Sequence, residues 1–385
     1  MKFETAAIRI QTPRSAEREH STPLFPTSSF VFNDAEHMRA MFAGEEEGNI
    51  YSRFTNPNCR ELEDKISALE GTEKTMATAS GMSAIFASMM SILEKGDHVI
   101  LSRAIFASTY RICLNYFPKW GIEYTFVDPH QIDKWSEAVR PNSKILFLET
   151  PSNPGLDIID LGLAGAFAKT HNLIYCVDNC FATPYLQQPV KYGADLIVHS
   201  ATKFIDGQGR VMGGLVTGKS DLMEKVKQFV RNTGPSLSPF NAWILSKSIE
   251  TLAVRLDRHC ENAMALAVRL NDHSKISKVN YPFLKSHPGH DIARQQMRHG
   301  GGLVTFEVKG GLAQGRQFLD HLKMLSLSAN LGDARTIATH PASTTHSKLT
   351  EEARLEVGIT NGLIRISVGL EHIDDIWKDI EQALA

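Results

Sequence analysis

Nothing in this 385-residue chain approaches the ~18 consecutive apolar residues that a membrane span requires, so no membrane association is expected. The opening stretch MKFETAAIRIQTPRS lacks the basic-then-apolar run of a secretory signal. An excess of one charge is missing too, because 41 Lys and Arg stand against 43 Asp and Glu for a formal net charge of -2. Near-neutrality of this kind argues against a nucleic-acid partner. Cysteine is scarce, and Cys59, Cys113, Cys176, Cys180 and Cys260 are odd in number and scattered. That usage points to reduced thiols in the cytoplasm rather than to a disulfide framework. Cys176 and Cys180 have no second Cys or His pair at zinc spacing, so both are read as structural and no metal is expected. Low-complexity linkers, internal repeats and a Walker A phosphate loop are absent as well.

What is present is a globular composition, 42% apolar, in a chain long enough for two domains with separate cores. Residues 1 to about 50 are polar and weakly periodic, and read as an extended arm with one helix from Asp34 to Ala43. A turn-rich loop, YSRFTNPN (Tyr51 to Asn58), leads into a helical pattern from Cys59 to Leu69 that Gly71 stops. Beyond it, short apolar runs alternate with helical stretches: Val99 to Leu101, Tyr124 to Val127, Ile145 to Leu148, Leu173 to Val177, Leu196 to Val198 and Gly214 to Thr217. Apolar runs without alternation are strands buried on both faces, which predicts an α/β domain with a mostly parallel sheet covered by helices. A long helical region from about Phe240 to Leu270 leads into a smaller α+β domain. Its expected strands are Leu303 to Val308, Met324 to Ser328 and Leu363 to Val368, and its expected helices Gln314 to Leu322 and Asp374 to Leu384. These readings divide the chain into an arm (1–50), a large domain (51–250) and a small C-terminal domain (251–385).

In a parallel sheet of this class ligands sit beyond the carboxyl ends of the strands. Lys203 follows such an end, in ADLIVHSATKFIDGQG. Read alone it is a strand-end lysine reaching solvent; desolvated, it is a nucleophile able to form a Schiff base. Asp178 follows the strand before it, one strand-helix-strand unit upstream, where a carboxylate calls for a cation and a salt bridge to Lys203 is one way to meet that need. Ser80-Gly81 opens a helix of helically spaced Met82, Ile85, Phe86 and Met89, a start that suits either ordinary capping or an anion. The hydroxyls of Ser200 and Thr202 bracket the lysine and could serve the same anion or cap a turn. Glu149-Thr150-Pro151-Ser152-Asn153-Pro154 ends another strand, and its amide reaches the crevice or forms a simple turn. The glycines after the lysine, Gly207, Gly209 and Gly213, are one residue too widely spaced for a dinucleotide fingerprint and stand in the wrong place for one. A ligand that uses every group is pyridoxal 5'-phosphate (PLP).

The motifs YSRFTNPN, SGMSA, ETPSNP, VDN, HSATKFIDGQG, GPSLSPFNAW and LIRISVGLEH occur in order over nearly the whole chain. The sequence thereby resembles the Cys/Met-metabolism family of PLP-dependent enzymes. The resemblance implies a fold-type I, aspartate aminotransferase-like large domain, a smaller C-terminal domain and a homotetramer built as a dimer of dimers. It gives Lys203 the part of the Schiff-base lysine and Asp178 that of the pyridine-nitrogen partner. Gly81, Met82, Ser200 and Thr202 resemble the phosphate cup. Tyr51 and Arg53 resemble a pair that reaches the neighbouring subunit's phosphate. Arg365 resembles the arginine that holds the substrate α-carboxylate, with Asn153 helping near the cofactor oxygen.

Departures from the family pattern narrow the activity. Where most members carry a tyrosine stacked on the cofactor ring, in a Tyr-Gly-x-Thr context, this chain reads Ile105-Phe106-Ala107-Ser108-Thr109. Phe106 can stack but cannot transfer a proton, which favours a carboxylate leaving group over a thiolate. A methionine γ-lyase would carry a cysteine at Ser108. Asn330-Leu331-Gly332-Asp333 replaces Ser-Leu-Gly-Gly, leaving the contribution of Asn330 to carboxylate binding open, and Ser248 replaces a glycine in the long helix. Together these features imply γ-replacement, with O-succinyl-L-homoserine and sulfide giving L-homocysteine and succinate in methionine biosynthesis. A γ-synthase using cysteine, a γ-lyase on the same scaffold, and a non-catalytic cofactor-binding protein are the alternatives; no cation is assigned to the distal acyl carboxylate, so succinyl against acetyl stays open.

Overall fold

The computed structural model describes residues 1–345, 347, 350–356 and 358–385. Seven strands make its larger sheet: β1 Lys74–Thr78, β2 His98–Ser102, β3 Glu123–Val127, β4 Ser143–Glu149, β5 Ile174–Asp178, β6 Leu196–Ser200 and β7 Gly214–Gly218. Their order is β1-β7-β6-β5-β4-β2-β3. Strands β2 to β6 pair in parallel, and β7 runs antiparallel to β6 and β1. The six strands read from the sequence are all there, because Ile100, Leu146, Val177 and Ile197 are buried on one face while Leu101, Phe147, Cys176 and Val198 are buried on the other. Strand β1 was not expected. It lies at the sheet edge with Lys74 exposed, and hydroxyls help hold it there: Thr75 Oγ1 donates to Thr217 Oγ1 of β7 at 2.7 Å.

Helices Gly81–Met90, Ala107–Asn115 and Ser220–Thr233 cover one face of this sheet, and Leu161–Thr170 packs on the other. The arm holds two helices rather than one. Besides Ala35–Ala43, which matches the helix expected from Asp34 to Ala43 and is capped by Asp34, a first helix spans Phe3–Arg9 because Phe3, Ala6, Ala7 and Ile10 have an apolar partner in Leu62, Ile66 and Leu69 of the helix Pro57–Glu70.

The smaller sheet contains β8 Ile276–Asn280, β9 Leu303–Val308, β10 Ser326–Leu327, β11 Ile337–Thr339 and β12 Leu363–Ser367, in the order β10-β11-β12-β9-β8. Strands β8 and β11 were not expected, being short and, in β8, interrupted by exposed Ser277 and Lys278. Leu266 and Leu270, Phe318 and Leu319, and Ile376 and Ile380 come from three helices, Leu252–Asn271, Gly311–His321 and Ile373–Leu384, and close the second core. The helical region expected to run unbroken from Phe240 to Leu270 is two helices, Pro239–Ile249 and Leu252–Asn271, parted at Glu250-Thr251.

The second of those helices braces the turn that carries Lys203. Buried Arg255 donates to the carbonyls of Phe204 (2.7 Å), Ile205 (3.2 Å) and Ser248 (2.9 Å). His259, one turn on, sets its ring edge against Phe204 (5.3 Å between centroids) and bonds the Val368 carbonyl through Nδ1 at 2.6 Å. Burial pulls its pKa down to about 4, so the ring is neutral in the fold. Between that value and the ordinary ~6.5 the unfolded chain binds a proton here that the folded chain does not. Stability is therefore lost as pH falls through this window, by about 2 kcal/mol at pH 5 from this group. Urea unfolding of the wild type and of His259→Gln at pH 7 and pH 5 measures it. The variant is expected to lose less stability on acidification, and equal losses would remove the assignment.

Candidate active site

Strands β4, β5 and β6 end side by side at Glu149, Asp178 and Ser200, and a cavity opens beyond those ends. Its wall on the side of the first core is the start of the helix Gly81–Met90. Ser80 caps this helix, its hydroxyl accepting from the Ser83 N–H at 3.1 Å. A Cβ at Gly81 would stand 2.6 Å from the Ser200 Cβ and 2.8 Å from its Oγ. Glycine is what lets the first helical turn close on Ser200. Gly81, Met82 and Ser200 thus line one end of the cavity, where helical N–H groups and the positive end of the helix dipole favour an anion.

Lys203 enters the same cavity from the turn after β6. Burial pushes its amine below the ordinary lysine value, and the Arg365 guanidinium adds to the effect. Its Nζ donates to Asn330 Oδ1 at 2.7 Å, so the Asn330 side chain, whose part in carboxylate binding the sequence leaves open, meets the lysine. Asp178 lies opposite, buried, with its Oδ1 accepting from the Cys180 N–H at 3.0 Å. Burial raises the Asp178 pKa, while that amide and the nearby His199 oppose the rise. Cys180, read as a structural thiol, lines the cavity, whereas Cys176 belongs to the core beneath.

Arg365 reaches the cavity from β12 of the small domain. One Nη donates to Asn153 Oδ1 at 2.9 Å, the other to the Asn330 carbonyl at 3.2 Å. Burial draws its pKa down to about 10, which leaves it a cation at neutral pH. Asn153 is thereby held against the arginine from the far side of the cleft. Phe106 lines the cavity too and is 39% exposed.

Three residues singled out in the sequence lie elsewhere. The Thr202 hydroxyl is spent on Gly213, donating to its carbonyl at 3.3 Å and accepting from its N–H at 3.2 Å. Tyr51 is exposed, and Arg53 bonds the Arg231 carbonyl while its guanidinium stands 4.5 Å from the Phe54 ring centroid. Neither lines the cavity. Glu149 does, and sequence reasoning saw in it only a strand end before a turn. Its one signal was position, since a carboxylate at the carboxyl end of a buried parallel strand faces the crevice just as Asp178 does. Burial, with Asp178 alongside, pushes the Glu149 carboxyl well above the usual range. Among the described residues no tyrosine and no histidine lines the cavity, and no group of three or more His, Cys, Asp or Glu is placed to hold a metal ion. No helix among them is long and apolar enough to cross a membrane.

Comparison with known proteins gives one family and more than one activity among the relatives. A profile of the family described as "Cys/Met metabolism PLP-dependent enzyme" matches residues 4–385. The chain is 47% identical over 383 residues to O-succinylhomoserine sulfhydrylase of Pseudomonas aeruginosa, covering 100% of this chain and 95% of the relative. It is 43% identical over 383 residues to an L-methionine gamma-lyase of Fusobacterium nucleatum subsp. polymorphum, covering 99% and 97%. Among solved structures, metY of Campylobacter jejuni superposes with a TM-score of 0.95 at 34% identity over the full length of both chains. That structure carries N'-pyridoxyl-lysine-5'-monophosphate.

Proposed function

This chain belongs to the Cys/Met metabolism family of PLP-dependent enzymes, and from that premise we propose that it joins sulfide to O-succinyl-L-homoserine, releasing succinate and forming L-homocysteine. The observation that carries this choice is the cavity wall, where Phe106 stands and no tyrosine or histidine is offered as an acid by the described residues of this chain. A thiolate leaving group, whose conjugate acid has a pKa of about 8.5, gains from such an acid; a carboxylate, near 4, departs without one. The 47% identity to a sulfhydrylase supports the same side of the choice.

The residues present fit pyridoxal phosphate. A glycine-opened helix start suits its phosphate, buried Asp178 its pyridine nitrogen, and the Lys203 amine, lowered by burial, its aldehyde. When bound, the group supplies an electron sink that acidifies first the Cα and then the Cβ protons of an amino acid. Gly81, Met82 and Ser200 hold the phosphate. Thr202 orders the turn around Gly213, and Tyr51 and Arg53 serve the cup of a neighbouring subunit in a homotetramer. Arg365 binds the substrate α-carboxylate, with Asn153 fixing the guanidinium.

Lys203 takes the Cα proton and then moves protons at Cβ. Asn330 holds the lysine amine through its carboxamide oxygen while that amine is free. Succinate leaves from Cγ as a carboxylate, and hydrosulfide then adds at Cγ. The net reaction balances as O-succinylhomoserine plus hydrogen sulfide to homocysteine plus succinate. The test is a steady-state comparison of O-succinylhomoserine, O-acetylhomoserine and L-methionine, each with and without sulfide. Homocysteine from the succinyl donor at a kcat/KM at least about tenfold above methionine elimination, a difference of some 1.4 kcal/mol, is expected. Faster release of methanethiol from methionine would replace this reading by a γ-lyase.

A further inference from the structure

Glu149 lines the cavity, and the reading above gives it no task. It ends β4 in register with Asp178 on β5, so the two carboxyls stand on neighbouring strand ends, both buried. Its Oε2 accepts a hydrogen bond from the Phe106 N–H at 2.6 Å, across 43 residues of sequence. Phe106 occupies the N-cap position of the helix Ala107–Asn115 and has no side-chain oxygen to cap it. The Glu149 carboxyl therefore stands at the start of a helix that lacks its own capping group, where a negative or strongly accepting oxygen is favoured. Phe106 lines the cavity and is 39% exposed, so packing alone does not fix it. Its backbone is what the protein holds.

We propose that Glu149 is a positioning residue that, through the Phe106 amide, fixes the aromatic ring against the bound cofactor. Burial and the Asp178 carboxyl both oppose a charge on Glu149, while hydrogen bonds from the Phe106 and Asn153 main-chain N–H groups favour it. A neutral carboxamide in its place can still accept from Phe106, and that defines the conservative replacement. The inference rests on cofactor binding and not on which substrate is used, so failure of the sulfide assay leaves it standing.

The test uses holoenzyme and two readouts that do not depend on turnover: the visible circular dichroism of the bound cofactor, and the rate of cofactor loss after dilution into cofactor-free buffer. Glu149→Gln is expected to keep the dichroism and to change the loss rate less than about twofold. Glu149→Leu removes a buried hydrogen-bond acceptor and is expected to speed cofactor loss about tenfold or more and to weaken the dichroism. In a Phe106→Ala background the same leucine substitution should change the rate less than about twofold, because the ring through which it acts is gone. An equal effect with and without the ring, or no effect in either, would overturn the proposal. If the leucine variant does not fold, Glu149→Gln still decides: lost dichroism despite a retained acceptor would refute it, and wild-type dichroism would support it.

Discussion

Lys203→Ala is expected to abolish the visible absorbance of the bound cofactor and to reduce turnover by about 10³-fold or more, the combined loss of a covalent attachment and of a proton-transfer group. The fold should survive the change. The turn that carries the residue is held by Arg255 through the carbonyls of Phe204 and Ile205, and by the Ala334 N–H on the Gly207 carbonyl, none of which involves the lysine side chain. Removing the side chain frees Asn330 Oδ1, whose carboxamide stays within reach of water and so carries no large penalty. Absorbance spectra, unfolding curves and steady-state rates on the same preparation separate these effects. A yellow, active Lys203→Ala protein would end the assignment, and an unfolded one would show that the turn depends on the lysine. The Lys203→Arg variant keeps the charge but offers no nucleophilic amine at neutral pH, and it should behave as the alanine variant does.

How far the sequence discloses this site depends on whether a residue acts through its place on a strand or through a contact with a distant backbone. Lys203 and Asp178 follow short buried strands, and strand ends in a parallel sheet aim at the crevice, so both were legible before any fold was known. Gly81 was legible as a helix start, and the structure adds the reason that it must be glycine: Ser200 occupies the space of a Cβ. The bond of Asn330 to Lys203 was not legible, because the two residues are 127 apart in sequence. Glu149 was seen only as a strand end because its partner is the main-chain N–H of Phe106, and a backbone donor leaves no trace in side-chain identity. The same division runs through the fold. Strands β2 to β6 announce themselves by apolar runs, while β1, with the sequence KTMAT, owes its place to an edge position and to hydroxyl bonds that no periodicity encodes. The contact made at the break between the helices Pro239–Ile249 and Leu252–Asn271 is likewise tertiary: Arg255 bonds three carbonyls, one of them that of Ser248 just before the break.

Phe106→Tyr is expected to raise elimination from L-methionine relative to replacement on O-succinylhomoserine by about tenfold or more, measured as the ratio of the two kcat/KM values on one preparation. The substitution adds a single hydroxyl to the ring of a cavity-lining residue that is 39% exposed and outside the buried core. It leaves the main-chain N–H on Glu149 unchanged, and with it the start of the helix Ala107–Asn115. Stability should therefore move by less than about 0.5 kcal/mol. What changes is the proton inventory of the site. A positioned general acid contributes about 10²- to 10⁴-fold where the leaving group needs a proton, and close to nothing where it does not. Methanethiolate belongs to the first kind and succinate to the second, by the gap of roughly four pKa units between their conjugate acids. A hydroxyl newly placed at position 106 should accordingly act on one substrate and spare the other. If the ratio stays where it was while the protein keeps its cofactor and its fold, then the leaving-group chemistry is not governed from position 106. The phenylalanine would then say nothing about which acyl or thiol group this enzyme expels, and the choice between replacement and elimination would have to be sought on the Arg365 side of the cavity.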